Sequence, residues 1–518
     1  MAATLIPFAL ALLAGAAHAL SIAQPWSGRP LWWLQLLSLA ALAWLAQRSP
    51  SWRRAAWLGW AFATAWLCGT FWWLFISMHV YGGLASPLAA GAVLALAAFL
   101  ALYYGAAMAA FAALHRPSLP WRALLFAAAW LVAELVRARW FTGFPWGASG
   151  YAHVDGPLAA LAPWVGVYGI AAAAALLAFT LSLAPRWATL RSWRYWAAVG
   201  AAAGVLAACN MAATSPAAPG TQPRLSVALL QGNIPQDEKF QGGTGIPLAL
   251  NWYGEQLRAS TASLVVAPET AIPLLPQQLP DPYMRALRER FAGGSQAALV
   301  GLPLGSMQAG YTNSALGFKP GSDPYRYDKH HLVPFGEFIP PLFRWFTDLM
   351  NIPLGDFNRG GLRQPTFDWQ GQRLAPNICY EDLFGEEIGA RFADAARAPT
   401  ILVNISNIAW FGNSVAIDQH LHISRMRALE FRRPMIRATN TGATAIIDHL
   451  GRVAGALPRH TRGVLAGEVE GRTEITGYAW WVSRLGLWPL WLLGLGTVAA
   501  GWLRHRSGPN GRPGAATA

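Results

Sequence analysis

Pro376-Asn377-Ile378-Cys379-Tyr380-Glu381-Asp382 ends an apolar run on a cysteine and passes at once into acidic residues and Leu383-Phe384-Gly385. This is the pattern of a β-strand that delivers a thiol to a sharp turn. The chain has only three cysteines, and the other two, Cys68 and Cys209, lie inside long apolar runs. A cysteine at a strand end beside charged residues is a candidate nucleophile. Taken alone, it is also the pattern of a small buried hydrophobe. Three cysteines build no disulfide framework.

Other strand-like runs flank this one, at 225–231, 263–269, 298–304, 400–406, 442–448 and 463–469. Helical patterns intervene near 247–261, 282–292 and 418–432. Alternation of this kind predicts an α/β domain around a central sheet, over 224–470. No internal repeat or Gly-rich phosphate loop interrupts it. His330-His331 and His420-x-His422 lack a Cys or carboxylate partner at a usual ligand spacing, so no metal site is expected.

Two further residues sit in comparable places. Glu269 closes an apolar run after Pro268, where α/β sheets carry their sites. Lys329 is one of three lysines, with Lys239 and Lys319, in a chain that otherwise uses arginine. A lysine in such a setting points to a need for a compact, tunable ammonium. A carboxylate, an ammonium and a thiol fit one chemistry: the carboxylate takes the thiol proton, and the ammonium favours the thiolate and then the oxyanion of a tetrahedral intermediate. The N–H of Tyr380 would be a second oxyanion donor, and Glu337 would orient the lysine or help the base, with Glu381 beside them as a supporting group. Separately, each is equally an exposed lysine, a capping glutamate or a core cysteine.

The rest of the chain is of another kind. The whole chain carries 27 tryptophans, is 54% hydrophobic and only 12% charged. That composition indicates a membrane protein. Seven spans are expected at about 5–23, 30–47, 55–78, 86–114, 121–138, 161–184 and 194–213, and an eighth at about 485–503, each near the ~20 residues that cross the hydrocarbon. The first has no basic flank or cleavage site and is read as a retained helix. The domain plan is then a membrane bundle over 1–213, a linker over 214–223, the α/β domain over 224–470, a return segment with the eighth helix over 471–503, and a tail over 504–518.

Charge follows the same division. Residues 224–470 hold 23 Lys+Arg against 22 Asp+Glu, so the formal net charge of +14 comes almost wholly from the remainder. Basic residues beside apolar segments argue for membrane orientation and anionic lipid, not for nucleic acid. Arg48, Arg53, Arg54, Arg116, Arg122, Arg186, Arg191 and Arg194 fall in one alternate set of loops, which the positive-inside rule places in the cytoplasm with both termini. The α/β domain is then expected on the opposite side. Glu134 and Arg137 can pair at i, i+3 near the bilayer, either as a functional pair or as a helix-end anchor.

With these motifs in hand, 224–470 resembles the nitrilase (carbon–nitrogen hydrolase) superfamily, whose Glu-Lys-Cys set matches Glu269, Lys329 and Cys379. The whole chain is similar to the bacterial apolipoprotein N-acyltransferase family within it. The resemblance rests on Gln231-Gly232-Asn233-Ile234-Pro235-Gln236, Ala267-Pro268-Glu269-Thr270, His331-Leu332-Val333-Pro334-Phe335-Gly336-Glu337, Asn377-Ile378-Cys379-Tyr380-Glu381, Thr142-Gly143-Phe144-Pro145-Trp146 and Arg437-Ala438-Thr439-Asn440-Thr441-Gly442. It implies an αββα sandwich on an eight-helix membrane base in the bacterial inner membrane, with the catalytic domain periplasmic. It implies transfer of an sn-1 acyl chain from a phospholipid, typically phosphatidylethanolamine, through a Cys379 thioester to the α-amino group of a lipoprotein's S-diacylglyceryl cysteine, with no cofactor or metal. Two positions depart from the family pattern: Phe240 stands where tryptophan is usual, and Ile408 where aspartate is usual.

Aromatic and apolar loop residues, Phe240, Trp410 and Phe411 with Leu342, Phe343, Trp345, Phe346, Leu349 and Met350, are candidates for an acyl entrance or lid, and equally for domain core. Two other functions stay open on the sequence. One is a membrane-tethered amidase using the same three residues, for which a single anchor would suffice. The other is a transport or binding protein with an inactive domain, which the Glu-Lys-Cys set opposes.

Overall fold

The computed structural model describes residues 2–114, 118–183, 223–306, 308–339 and 356–506, with scattered positions between 192 and 211. Most of the expected linker, most of the expected span at 194–213, most of the tail, Cys209 and the six lid candidates between Leu342 and Met350 lie outside the described residues. The chain forms two compact units. One comprises Met1–Trp72, Ala90–Ser215 and Leu487–Ala518; the other comprises Trp73–Ala89 and Pro216–Gly486.

The first unit is helical. Four helical segments are long and apolar enough to cross a membrane: Leu5–Ile22, Ser86–Leu114, Leu119–Thr142 and Pro157–Leu181. Two further pairs, Trp52–Phe71 with Leu74–Tyr81 and Gly477–Leu485 with Trp488–His505, each running from one unit into the other, raise the number to six if each is one span. Trp32–Gln47 is apolar but shorter, at 16 residues. The described residues therefore carry four to six candidate spans where the sequence reading has eight.

Glu134 and Arg137 are fully buried and 2.9 Å apart. Arg137 also donates to Tyr104 Oη (2.8 Å) and to the carbonyls of Phe144 (2.9 Å) and Trp146 (2.8 Å). Glu134 Oε1 accepts from the Ser149 N–H at 3.1 Å and its hydroxyl at 2.5 Å. Every partner is internal, so the pair ties the loop after Leu119–Arg139 back onto its own helix. This is the satisfied form in which buried charge is tolerated.

The second unit is built on two six-stranded sheets. The first has the order β12-β1-β2-β3-β4-β5 and the second β11-β10-β9-β8-β7-β6. The strands of the first are β1 (Arg224–Gln231), β2 (Leu264–Val266), β3 (Ala297–Ser306), β4 (Gly310–Phe318), β5 (Tyr325–Asp328) and β12 (Gly463–Glu470); those of the second are β6 (Phe367–Trp369), β7 (Gln372–Ile378), β8 (Ile401–Ser406), β9 (Met435–Thr439), β10 (Ala445–Ile447) and β11 (Val453–Ala456). β1-β2-β3 and β7-β8-β9 run parallel, with antiparallel strands outside them.

Side chains alternate across each strand. Leu225, Val227 and Leu229 of β1 join Leu374, Ile378, Val403, Ile405 and Ile436 in one buried cluster between the sheets. Ala228 and Leu230 point the other way, against Leu250, Tyr253 and Leu257 of the helix Gly245–Ala259 and Leu287 and Phe291 of Tyr283–Ala292. The helix Ala416–Phe431 packs near β9 of the second sheet. Helices thus lie against both sheets, which face each other.

The unit boundaries differ from the sequence boundaries in two places. Trp73–Ala89, expected in the membrane bundle, packs with the second unit. Trp73 Nε1 donates to Gln419 Oε1 at 3.0 Å, its ring lies 4.2 Å from that of Phe411, and Tyr81 meets Trp410 edge-on at 5.9 Å. Gly477–Leu485 also stays with the second unit, where Tyr478 packs on Phe431 and Thr476 Oγ1 donates to the Glu430 carbonyl at 2.7 Å.

Candidate active site

Three strand ends bring the sequence candidates together. Glu269 follows β2, Lys329 follows β5 directly, and Cys379 follows β7 directly. The first two strands belong to one sheet and the third to the other. Lys329 Nζ lies 3.3 Å from Glu269 Oε1 and 2.9 Å from Glu337 Oε1. All three charged side chains are buried. β3 can pass close to Glu269 because residue 301 is glycine: a Cβ there would fall 2.7 Å from Glu269 Cα and 2.3 Å from the Pro268 carbonyl oxygen.

The backbone is strained where the groups are held. Cys379 sits at φ 54°, and Thr270 and Phe335, beside Glu269 and Glu337, sit at 51° and 63°. Left-handed conformations at non-glycine residues cost about 1–3 kcal/mol each and persist where surrounding contacts fix them. Here the contacts are hydrogen bonds to carboxylates. The Asn407 N–H donates to Glu269 Oε2 (2.8 Å) and the Val333 N–H to Glu337 Oε2 (2.9 Å).

Glu381 holds the frame. Its carboxylate accepts from the Ile378 N–H (2.6 Å), the His330 N–H (2.6 Å), the His331 N–H (3.1 Å) and the Tyr327 hydroxyl (2.8 Å). One buried carboxylate therefore ties the strand that ends on Cys379 to the segment that carries Lys329. Burial raises the Glu381 carboxyl above its ordinary value, against the N–H of Ile378 and the charge of Lys329.

Electrostatics divides the three main groups. Burial alone would raise the Glu269 carboxyl, but Lys329, Asn313, Lys239 and the Asn407 N–H together hold it below its ordinary value. Burial would lower the Lys329 ammonium, but Glu337 and Glu269 more than offset this and hold it charged. The Cys379 thiol is pushed up to about 12, first by burial and then by Glu269, with Lys329 opposing. Glu269 is thus held ionised, Lys329 charged and the Cys379 thiol protonated.

Sequence reasoning missed two members of the site. Asn313 of β4 gives its amide to Glu269 Oε1 and Glu337 Oε1, both at 2.7 Å. Lys239, noticed only as a rare lysine, is buried with Nζ 3.2 Å from the Glu269 carbonyl oxygen. Its ammonium is lowered to about 8 by burial, against the charges of Glu269 and Cys379. The scarcity of lysine was the only signal for Lys239; for Asn313 there was none.

Residues 14–180 match the apolipoprotein N-acyltransferase N-terminal domain, and residues 226–476 match the carbon–nitrogen hydrolase domain. The apolipoprotein N-acyltransferase of Verminephrobacter eiseniae is 62% identical over 500 residues, covering 92% of each chain. That of Ralstonia nicotianae is 48% identical over 478 residues, 90% of this chain and 88% of the relative. That of Bordetella bronchiseptica is 44% identical over 535 residues, 95% of this chain and 96% of the relative.

The chain belongs to the apolipoprotein N-acyltransferase family.

The two departures from the family pattern have different settings. Ile408 is fully buried at the start of the turn Ile408–Phe411, whereas Phe240 is half-buried next to Lys239. Trp410 and Phe411, candidates for an acyl entrance, pack on Tyr81 and Trp73 respectively. They share a short turn with Ile408, directly after the Asn407 that caps Glu269. Among the described residues, no group of three or more His, Cys, Asp or Glu is placed to hold a metal ion. His330 Nδ1 meets the Gly360 carbonyl at 2.8 Å and His331 Nδ1 meets Glu387 at 3.0 Å.

Proposed function

We propose that the chain transfers an acyl chain from the sn-1 ester of a phospholipid, phosphatidylethanolamine among them, to the α-amino group of the N-terminal S-diacylglyceryl cysteine of lipoproteins. Cys379 Sγ attacks the ester carbonyl while Glu269 takes its proton. The C–O bond breaks, the proton passes to the departing lysophospholipid oxygen, and a thioester remains. The acceptor amine then attacks the thioester. Glu269 takes the amine proton, the C–S bond breaks, and the proton returns to sulfur. In both halves the oxyanion is stabilised by Lys329 and the Tyr380 N–H.

The observation that carries this reading is the approach of Lys329 to both Glu269 and Glu337, with the charges of Glu269 and Lys329 acting on the Cys379 thiol. An ammonium held between two carboxylates cannot serve as the base, so it is left to stabilise negative charge. Glu269, kept ionised, is the base. The match of 14–180 to the N-terminal domain of the family supports a lipid substrate over the small amides of a soluble hydrolase. A thioester near a bilayer must also be kept from water, since hydrolysis would waste the acyl group. The apolar helices support a multi-pass protein. We place it, by the basic loops and by family, in the inner membrane with eight spans, the α/β domain over 224–470 facing the periplasm, and Phe240, Trp410 and Phe411 near the acyl chain.

Membranes carrying the full chain, incubated with acyl-labelled phosphatidylethanolamine and precipitated, test this. Label released by hydroxylamine is expected on wild type and absent on Cys379→Ala. Wild type that takes up no label yet hydrolyses small amides would sink the acyltransferase reading in favour of a membrane-tethered amidase.

A further inference from the structure

Behind Cys379 lies a polar cluster that the mechanism above does not use. Asp382, Asn404, His420, Ser424 and Arg437 are all fully buried. They come from the turn after the cysteine, from β8, from the helix Ala416–Phe431 and from β9. Asp382 Oδ1 lies 2.9 Å from His420 Nε2, and the Ser424 hydroxyl donates to Asp382 Oδ2 at 2.5 Å. Arg437 donates to the His420 carbonyl (3.0 Å), to the Ser424 hydroxyl and to His420 Nδ1 (3.1 Å), and lies 3.5 Å from Asp382. Arginine only donates, so His420 Nδ1 accepts and Nε2 carries the hydrogen. That hydrogen is shared between Asp382 and the Cys379 carbonyl, 3.2 Å away. Asn404 Nδ2 approaches the same carbonyl at 3.3 Å and donates to Asn377 Oδ1 at 2.6 Å.

A carbonyl gripped by two donors fixes more than itself. The peptide that joins Cys379 to Tyr380 is planar, and in the trans form its N–H points opposite to its C=O. Holding the Cys379 oxygen toward His420 and Asn404 turns the Tyr380 N–H the other way. Cys379 is also held at φ 54°, a conformation that the chain would leave if the peptide were released. Buried ionic groups can often be replaced by packed apolar ones without loss of stability, so packing alone does not account for five polar side chains here.

We infer that His420 and Asn404 are positioning residues that aim the Tyr380 N–H at the developing oxyanion by fixing the Cys379 carbonyl, with Asp382, Ser424 and Arg437 setting the His420 tautomer and its angle. The inference rests on the thioester reading above. It assigns to His420 of the His420-x-His422 pair an orienting role and not a ligand's.

Full-length protein in membranes tests it with two reactions at one sulfur. Alkylation of Cys379 by iodoacetamide needs the thiolate but no oxyanion; acylation by labelled phosphatidylethanolamine needs both. His420→Leu is expected to acylate about 10²-fold more slowly, the loss typical of a misplacement near 1 Å. Its alkylation rate and half-saturating phospholipid concentration should stay within about twofold of wild type, as for a lost interaction that operates only in the transition state. His420→Gln, whose amide nitrogen reaches toward the place of Nε2, should recover part of the rate. Acylation at the wild-type rate in His420→Leu, or alkylation falling in parallel with it, overturns the inference. Should that variant not accumulate, Asn404→Ala carries the same expectations and criteria. Wild type that alkylates but never acylates overturns instead the reading on which this rests.

Discussion

Asn313 donates to the same Glu269 oxygen that Lys329 approaches: its Nδ2 lies 2.7 Å from Glu269 Oε1, closer than the 3.3 Å of the ammonium. The same amide also reaches Glu337 Oε1, so one neutral side chain and one cation together bridge two buried carboxylates. Removing the amide leaves the carboxylates facing each other with only Lys329 between them.

Asn313→Ala is therefore expected to slow acylation by about 10- to 100-fold, the equivalent of about 1.5–3 kcal/mol for a hydrogen bond to a charged group. The change should also move the pH profile. Glu269 lies below its ordinary value, with the Asn313 amide among the causes. As the proposed base it would stay ionised down through the ordinary carboxylate range, and its contribution to stability, present above its unfolded value, is lost as pH falls through the folded one. Loss of a donor raises the folded value, so the acid limb of the acylation rate should shift upward. An acid limb that stays in place, measured by single-turnover acylation between pH 4 and 8, is the result that would count against this role.

Much of the fold was legible because many strands carry short apolar runs that end on polar groups. The runs at 225–231 and 463–469 and the one that ends on Cys379 fall within a residue of the ends of β1, β12 and β7. β4, β5, β6, β9 and β11 have no counterpart among the runs. β9 carries Arg437 in its middle, and β4 runs through Tyr311-Thr312-Asn313-Ser314, with too few large apolar residues to show the alternation of a strand. The same property hid Asn313, whose value lies in where its strand places it. The pairing of β1 with β12, about 240 residues apart in sequence, follows from tertiary packing and leaves no local trace. In the membrane unit, length and apolarity marked the helices, but not the break after Phe71, because the apolar pattern continues across it. What makes Trp73–Ala89 part of the second unit is contact with Gln419, Phe411 and Trp410, and none of these is visible in the segment itself.

That contact yields a second prediction. Trp73 is fully buried against Phe411, in the turn that follows the Glu269-capping Asn407. Trp73→Ala is expected to destabilise the protein by about 3–5 kcal/mol, as for other large buried aromatics, read as a drop in melting temperature in detergent. Trp73→Phe keeps the ring and loses the hydrogen bond to Gln419, so it should cost only about 1 kcal/mol. If the turn holds Asn407 in place, the acylation rate of Trp73→Ala, measured below its melting temperature, falls while that of Trp73→Phe does not. Equal rates in the two variants would mean that the segment stabilises the fold without supporting the base.

The last prediction concerns the two lysines, which differ in what holds them. Lys329 is fixed between two carboxylates. Lys239 meets a main-chain carbonyl, an acceptor that a protonated or a neutral amine satisfies equally. With burial lowering it to about 8, Lys239 should be a cation below that pH and neutral above it. A cation near the thiol favours the thiolate, so alkylation of wild type should climb less steeply once pH passes about 8. Lys239→Met resembles the neutral form throughout. It should alkylate about tenfold more slowly at pH 7, the effect of roughly one unit in the thiol pKa, and approach wild type at pH 9. Lys239→Arg keeps its charge across the range, so its profile should climb with no bend. Iodoacetamide rates between pH 6 and 10 decide the matter. Profiles for wild type and Lys239→Met that stay parallel over the whole range would show that the Lys239 charge does not reach the nucleophile.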